Sequence, residues 1–381
     1  MRPRNGAGLT RLRVGACLSL SGRFSRFGLQ AARALQAWAS LDGGADIVIE
    51  DDASEVSQLR ALLPHVAARC DLLLGPYSTV LMRAAGELAG DLDWIVWNHG
   101  GSGDDVETAQ PGHVVSMLTP TSRYARPFLN HLAASGSGQE ELWIAHGTGR
   151  FGRQVARGAE AYAWKAGLTR LKTGPAATLF AEHEVPESWI LLTAGTFEDD
   201  IQTVTHARGL KHPPRLICAV AAGVREFGTA IPNPTGTLGI AQWFPHVGQE
   251  PRLGPTEERF LAAYGSETEP PDYPAVQAAA TAALAAHCAR EAGSTRREDL
   301  WQAATALETT TLFGEFKIDP SNGKQIRHQT ILIQWTDSGP AALHVAVRRE
   351  NLGRTPGRPR VRKTSRKGER HHETFSASPS R

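Results

Sequence analysis

Cysteine and methionine are scarce in these 381 residues, at four and three, and no apolar run approaches the roughly 18–20 residues of a membrane-spanning helix. Cys17, Cys70, Cys218 and Cys288 are far apart and form no C-x-x-C pair. That pattern favours buried free thiols, with a disulfide or a metal site as the alternatives. The 14 histidines do not cluster at ligand spacing, so no metal is expected. His99 reads as a polar contact rather than a metal ligand. No G-x-S-x-G elbow holds a serine under strain, which argues against catalysis even though Ser78, His99 and Asp104 could be written as a triad. An apolar leader is missing too. Met1 to Arg13 is charged like a secretory n-region, and Val14-Gly15-Ala16-Cys17 looks like a lipoprotein cleavage box, but Leu9 to Arg13 is no hydrophobic segment.

Charge is nearly balanced at +2 overall, and the balance is uneven along the chain. Residues 349–381 carry ten Lys/Arg against three Asp/Glu, which leaves the other 348 residues at −5. A mildly acidic body is not a nucleic-acid-binding surface, and no nucleic-acid partner is expected. The segment 349–381 lacks apolar periodicity and reads as a disordered basic tail, or as a contact with anionic lipid or nucleic acid.

What is present is alternation. Strands are expected at 12–20, 46–50, 71–74 and 94–97, with helices at 28–40, 54–69 and 79–89 between them; Pro64 is a candidate kink. After Pro120 the pattern restarts. Helices at 124–134, 152–166 and 197–208 interleave with strands at 141–145, 189–193, 215–220 and 238–243. Helices at 256–264, 274–291 and 297–307 follow, then short strands at 314–318 and 330–335 around the Asp319-Pro-Ser-Asn-Gly323 turn. Two successive β-α-β halves predict an α/β fold of two Rossmann-like lobes with parallel sheets. The expected partition is 12–118 plus 247–328 for the first lobe and 119–246 plus 329–348 for the second.

Ligands of open parallel sheets bind beyond the carboxyl ends of strands. Small polar residues follow four such ends, at 20–28, 75–79, 98–103 and 146–152. Ser78 combines a hydroxyl with the free amides of a helix start, which suits a carboxylate, although a plain helix cap is the simpler reading of a lone serine. Gly147-x-Gly149-x-x-Gly152 matches the dinucleotide fingerprint. The acidic residue that such a site requires is absent, because no Asp or Glu occurs between Glu160 and Glu182. No cofactor is expected.

The segments LSGRFSRFG (20–28), EDDAS (50–54), LLGPYST (73–79), VWNHGGSGDD (96–105), LWIAHGTGRFGRQVARG (142–158) and TLFGEFKIDPSNGK (311–324) together resemble type I periplasmic binding proteins. Within them, the likeness is to the branched-chain amino acid receptors of ABC importers. It covers roughly Leu12 to Trp335. It implies a three-stranded hinge near Ser116–Thr121, Trp243–Val247 and Arg327–Thr330, closure around a small ligand, no enzymatic activity, and an ABC permease as partner if the protein is exported. Ser78 then matches the hydroxyl that meets a ligand carboxylate, and Gly100 and Ser102 match a backbone-and-hydroxyl pair. Phe27 and Phe151 match aromatic positions, usually tyrosine, that flank the ligand. Thr196 or Phe197 falls near a further contact.

The resembling receptors carry an acid for the ligand ammonium after the strand at 215–220, where this chain reads Ala219-Val220-Ala221-Ala222-Gly223, and Glu226 comes a turn later. The expected ligand is therefore an amino-acid-sized carboxylate or amide with an apolar or aromatic body and no free amine. A periplasmic location is implied, with the export signal not in this sequence, or a cytoplasmic one if Met1 is the true start. A cytoplasmic ligand-sensing regulator on the same fold, like the amide sensors, is the alternative function.

Overall fold

The computed structural model describes residues 11–136, 140–265 and 270–343. The expectation for the tail at 349–381, and for the end of the second lobe at 348, lies outside them.

Strands β1 (Leu12–Leu18), β2 (Ala45–Asp51), β3 (Leu72–Leu74), β4 (Val96–Asn98) and β5 (Val114–Ser116) form one sheet in the order β2-β1-β3-β4-β5. All its pairings are parallel. An inner parallel strand is covered on both faces, which is why β1 reads as a nearly unbroken apolar run with only Arg13 exposed. One face packs on α1 (Ser25–Asp42), α9 (Glu257–Tyr264), α10 (Tyr273–Ala292) and α11 (Arg297–Ala306). The other packs on α2 (Val56–Arg69) and α3 (Thr79–Leu92). Alanine dominates α10, and that helix is buried almost all round. Small side chains let α1 approach it closely through Ala31 and Ala34.

The second sheet has seven strands in the order β14-β13-β10-β9-β8-β6-β7. They are β6 (Glu141–His146), β7 (Leu171–Pro175), β8 (Trp189–Ala194), β9 (Leu216–Ala219), β10 (Leu238–Ala241), β13 (Ile331–Thr336) and β14 (Gly339–Ala342). Strands β6 to β10 pair in parallel, and β13 and β14 are antiparallel. Helices α4 (Arg126–Ala134) and α5 (Arg150–Lys165) cover one face, and α6 (Ala176–Glu182), α7 (Phe197–Arg208) and α8 (Phe227–Ala230) the other. The pair β11 (Thr309–Thr311) and β12 (Gly314–Phe316) completes the strands. The molecule is an α/β fold of two lobes with mainly parallel sheets.

Several elements differ from the sequence expectation. Helix α1 begins at Ser25, three residues before Gly28. Gly28 is there for contact with the sheet, since a Cβ would lie 2.0 Å from the Ser19 carbonyl oxygen. Strands β5, β7, β11 and β14 and helix α6 were not anticipated. Three residues of β5 are too few to show periodicity. The polar LKTGP of β7 and GPAA of β14 are edge strands, which need no apolar side chains on two faces. All four cysteines are buried and free.

Three chain segments cross between the lobes and are tied to one another. Thr119 N donates to Gln242 Oε1 (3.0 Å), and Gln325 Nε2 to the Met117 carbonyl (3.2 Å). Arg123 Nη1 donates to the Ile326 carbonyl (3.1 Å). His328 stacks on Phe313 with ring centroids 4.2 Å apart and contacts its carbonyl through Nε2 at 3.0 Å. A carbonyl only accepts, so Nε2 carries the proton and Nδ1 accepts from the Thr119 hydroxyl at 2.6 Å. Burial holds this imidazole neutral, with its pKa lowered to about 4.

Candidate functional site

In each lobe the strand order reverses at one point, between β1 and β3 in the first and between β6 and β8 in the second. Loops leaving neighbouring strands on either side of such a point diverge and open a crevice. Phe27 and Ser78 follow β1 and β3, Gly100 and Ser102 follow β4, and Phe151 and Thr196 follow β6 and β8; the two sets of loops meet where Arg26 pairs with Glu198 and Gln154 with Asp105.

On the first lobe, Ser78 caps α3, accepting from Leu81 N at 3.3 Å. Its backbone has φ +90°, a left-handed value that a serine adopts only when its surroundings impose it. Here Ser78 N donates to the Gly100 carbonyl (3.0 Å) and Met82 N to the Ser78 carbonyl (2.9 Å), which pins the turn. Gly100 lies so close to the neighbouring turn that a Cβ would sit 2.5 Å from the Pro76 oxygen and from Tyr77 Cα. Asn98 organises the next loop, accepting from Gly100 N (3.1 Å) and Gly101 N (2.8 Å). Ser102 is buried, and its carbonyl accepts from Thr121 N at 2.8 Å.

Aromatic residues cluster beside these loops. Phe27 stacks on Tyr77 at 4.3 Å, and Phe151 meets Tyr124 edge-on at 5.6 Å. Tyr77 adjoins Tyr273 at the start of α10. Tyr124 adjoins Ser102 and accepts from Gln242 Nε2 at 2.7 Å. Burial raises all three phenols well above their usual pKa, so they are neutral donors and acceptors. Besides Phe27 and Phe151, three of the chain's five tyrosines, Tyr77, Tyr124 and Tyr273, join this aromatic cluster from other segments. Tyr77 was in plain sight beside Ser78; Tyr124 and Tyr273 are brought in only by tertiary folding.

Thr196 is exposed and caps α7 in a reciprocal arrangement with Asp199, at 3.1 Å from Asp199 N to Thr196 Oγ1 and 3.0 Å from Thr196 N to Asp199 Oδ2. Its neighbours Phe197 and Glu198 are the ones that reach the first lobe. Arg26 Nη2 pairs with Glu198 at 2.7 Å, Arg26 Nη1 lies 3.2 Å from Glu226, and the guanidinium sits 4.4 Å over the Phe197 ring. Beside them, Arg225 N donates to Asp272 (3.1 Å). Burial raises the Asp272 carboxyl to about 6. On the opposite side, Arg150 pairs with Asp105, Gln154 Nε2 donates to Asp105 (2.9 Å), and Asp104 N donates to Gln154 (3.2 Å). Sequence reading missed Arg26, Glu198 and this second set, whose partners are distant in sequence.

Strand β9 is followed by a 3-10 turn at Val220–Gly223 with no acidic side chain. The carboxylate beneath it, Asp200, is buried and accepts from Ala221 N (2.8 Å) and Thr193 (3.0 Å). Its pKa rises to about 7, chiefly from burial. The glycines at 147 and 152 serve packing. A Cβ on Gly152 would lie 2.4 Å from the Ala194 oxygen, and one on Gly147 would lie 2.2 Å from Asp199. His99 is fully buried, and burial lowers its pKa to about 4, with the Gly75 backbone opposing. Asp104 is committed to Thr121 (2.9 Å) and Ser122 (2.8 Å), so Ser78, His99 and Asp104 form no relay. Among the described residues no group of three or more His, Cys, Asp or Glu could hold a metal ion, and no helix is long and apolar enough to cross a membrane.

Two α/β lobes whose switch points face one another across a three-segment hinge define a hinged solute-binding receptor. A family model described as "Periplasmic binding protein" matches residues 11–340, and the chain belongs to that family, whose members are solute-binding proteins rather than enzymes. No curated protein matches the sequence. Among solved structures, a leucine-binding protein of Thermotoga maritima is similar with TM-score 0.73 at 13% identity, covering 87% of this chain and 97% of that one. A branched-chain amino acid binding protein of Streptococcus pneumoniae in complex with isoleucine has TM-score 0.69 at 14% identity (87% and 99% covered). A solute-binding protein of R. palustris in complex with 4-hydroxybenzoate has TM-score 0.70 at 15% identity (88% and 96% covered). At these identities the likeness is one of fold.

Proposed function

We propose that this protein is the receptor of an ABC-type importer and closes around a small carboxylate or amide with an aromatic or apolar body and no free amine. The observation that carries the reading is the cluster of Phe27, Tyr77, Tyr124, Phe151 and Tyr273 near Ser78, the N-cap of α3. Ring faces supply apolar contact, neutral phenols supply hydrogen bonds, and a helix start favours negative charge. Ser78, Gly100 and Ser102 hold the ligand on the first lobe; Phe151 and the segment at Thr196 close over it from the second. The lobes divide at 118/119, 246/247 and 328/329, and bending there brings the rims together. In a periplasmic setting the closed form is what a permease reads. The neighbours' ligands span both classes at issue, isoleucine in one and 4-hydroxybenzoate in another.

The test is a thermal-shift and calorimetric panel of benzoate, 4-hydroxybenzoate, benzamide, L-leucine and L-isoleucine. A true ligand at 100 times its dissociation constant adds about 2.7 kcal/mol of stability. The reading expects stabilisation by an aromatic acid or amide. Micromolar binding of leucine or isoleucine, with none of the aromatic compounds bound, overturns it.

A further inference from the structure

We infer that Arg26 decides the charge class of the ligand, supplying from the protein the cation that two second-lobe carboxylates would otherwise take from a solute. The inference rests on the closing cleft proposed above. Arg26 lies in the first turn of α1, next to Phe27 and within electrostatic reach of Tyr77. From there it crosses to Glu198 (2.7 Å) and Glu226 (3.2 Å), which arrive from separate segments of the other lobe. Its guanidinium is further fixed over the Phe197 ring. An entering ammonium would have to displace a guanidinium held by two carboxylates and a ring face, and would leave that guanidinium without partners.

A second observation points to the ligand that does enter. Arg26 Nη1 is buried from solvent and makes no hydrogen bond, since its approach to Glu226 satisfies charge but not hydrogen-bond geometry. Glu226 lies beside this N–H without aligning with it, and a ligand carboxylate or amide oxygen in line with it would complete the hydrogen bond. Arg26 thus excludes amines and offers a donor to anions.

The experiment measures 4-hydroxybenzoate and phenethylamine binding by calorimetry to the wild type, Arg26→Met and Arg26→Lys. The wild type is expected to ignore the amine. Arg26→Met should bind the acid at least tenfold more weakly and acquire measurable affinity for the amine, whereas Arg26→Lys should still exclude it. An Arg26→Met variant that treats both probes as the wild type does overturns the inference and leaves the proposed function intact. A wild type that binds phenethylamine overturns it as well. If the wild type binds no aromatic acid but Arg26→Met gains the amine, the role of Arg26 stands and the proposed ligand class falls. Should Arg26→Met fail to fold, the double variant Glu198→Gln/Glu226→Gln decides. It frees the guanidinium and should raise acid affinity at least threefold at low salt; unchanged affinity rejects the inference.

Discussion

Tyr124 joins two parts of the molecule through one hydroxyl. It accepts from Gln242, which itself accepts from Thr119 N between the lobes, and it adjoins Ser102 in the loop after β4. Removing the hydroxyl leaves the buried Gln242 amide without its acceptor, at a cost of about 1–3 kcal/mol. Tyr124→Phe should therefore lower stability by about that amount in denaturant titration and weaken the ligand about tenfold, while Tyr162→Phe, outside the cleft, changes only stability. Two buried imidazoles give a pH signature. His99 and His328 are both lowered to about 4 in the fold, so below their ordinary value near 6.5 the unfolded chain takes up protons that the native state refuses. Their contribution is complete above pH 6.5 and is lost as pH falls through 4. His99→Gln should make the melting temperature fall less steeply across that window. Asp200, raised to about 7 by burial, acts the other way: its contribution is complete below about 3.8 and lost as pH rises through 7. Asp200→Asn should flatten that part of the profile, measured by scanning calorimetry between pH 4 and 8.

At the scale of elements, the site depends on how closely helices approach strand ends. Gly28 places the first turn of α1 against the end of β1, where any Cβ would collide with the Ser19 carbonyl. Gly28→Ala is expected to displace Arg26 and Phe27 together. Overpacking of this kind costs about 1–3 kcal/mol, and here the obstacle is backbone, which yields less than a side chain. Thermal unfolding should show that loss, and the binding of whichever aromatic probe the wild type accepts should drop with it. Gln36→Gly, at an exposed position of the same helix, lowers stability through helix propensity alone and serves as the comparison.

At the scale of the molecule, the proposed closure requires both rims to move together. Addition of the accepted aromatic probe should slow amide exchange in the loops at 98–103 of the first lobe and at 147–152 and 195–198 of the second in the same experiment. Slowing confined to one lobe would refute closure, since only a cleft shut from both sides buries both sets of backbone.

Much of this was legible in the sequence because period and order are local properties. The strand-helix alternation, the restart after Pro120, the free cysteines and the glycine-rich strand ends need no knowledge of partners, and they determined an α/β chain of two lobes with candidate contacts at strand ends. Edge strands such as β7 were not legible, because half-exposed strands carry no apolar signature. Nor was the character of the cleft. Tyr124 and Tyr273 stand almost 150 residues apart, and Arg26 is separated from Glu198 by 172 positions and from Glu226 by 200. Only the hinge and the packing of α1 and α10 bring these groups together. The sequence alone determined the alternation of elements and the candidate strand ends; the tertiary structure decided which hydroxyls and charges stand together there, because electrostatics and hydrogen bonds act over ångströms in space and leave no period along the chain.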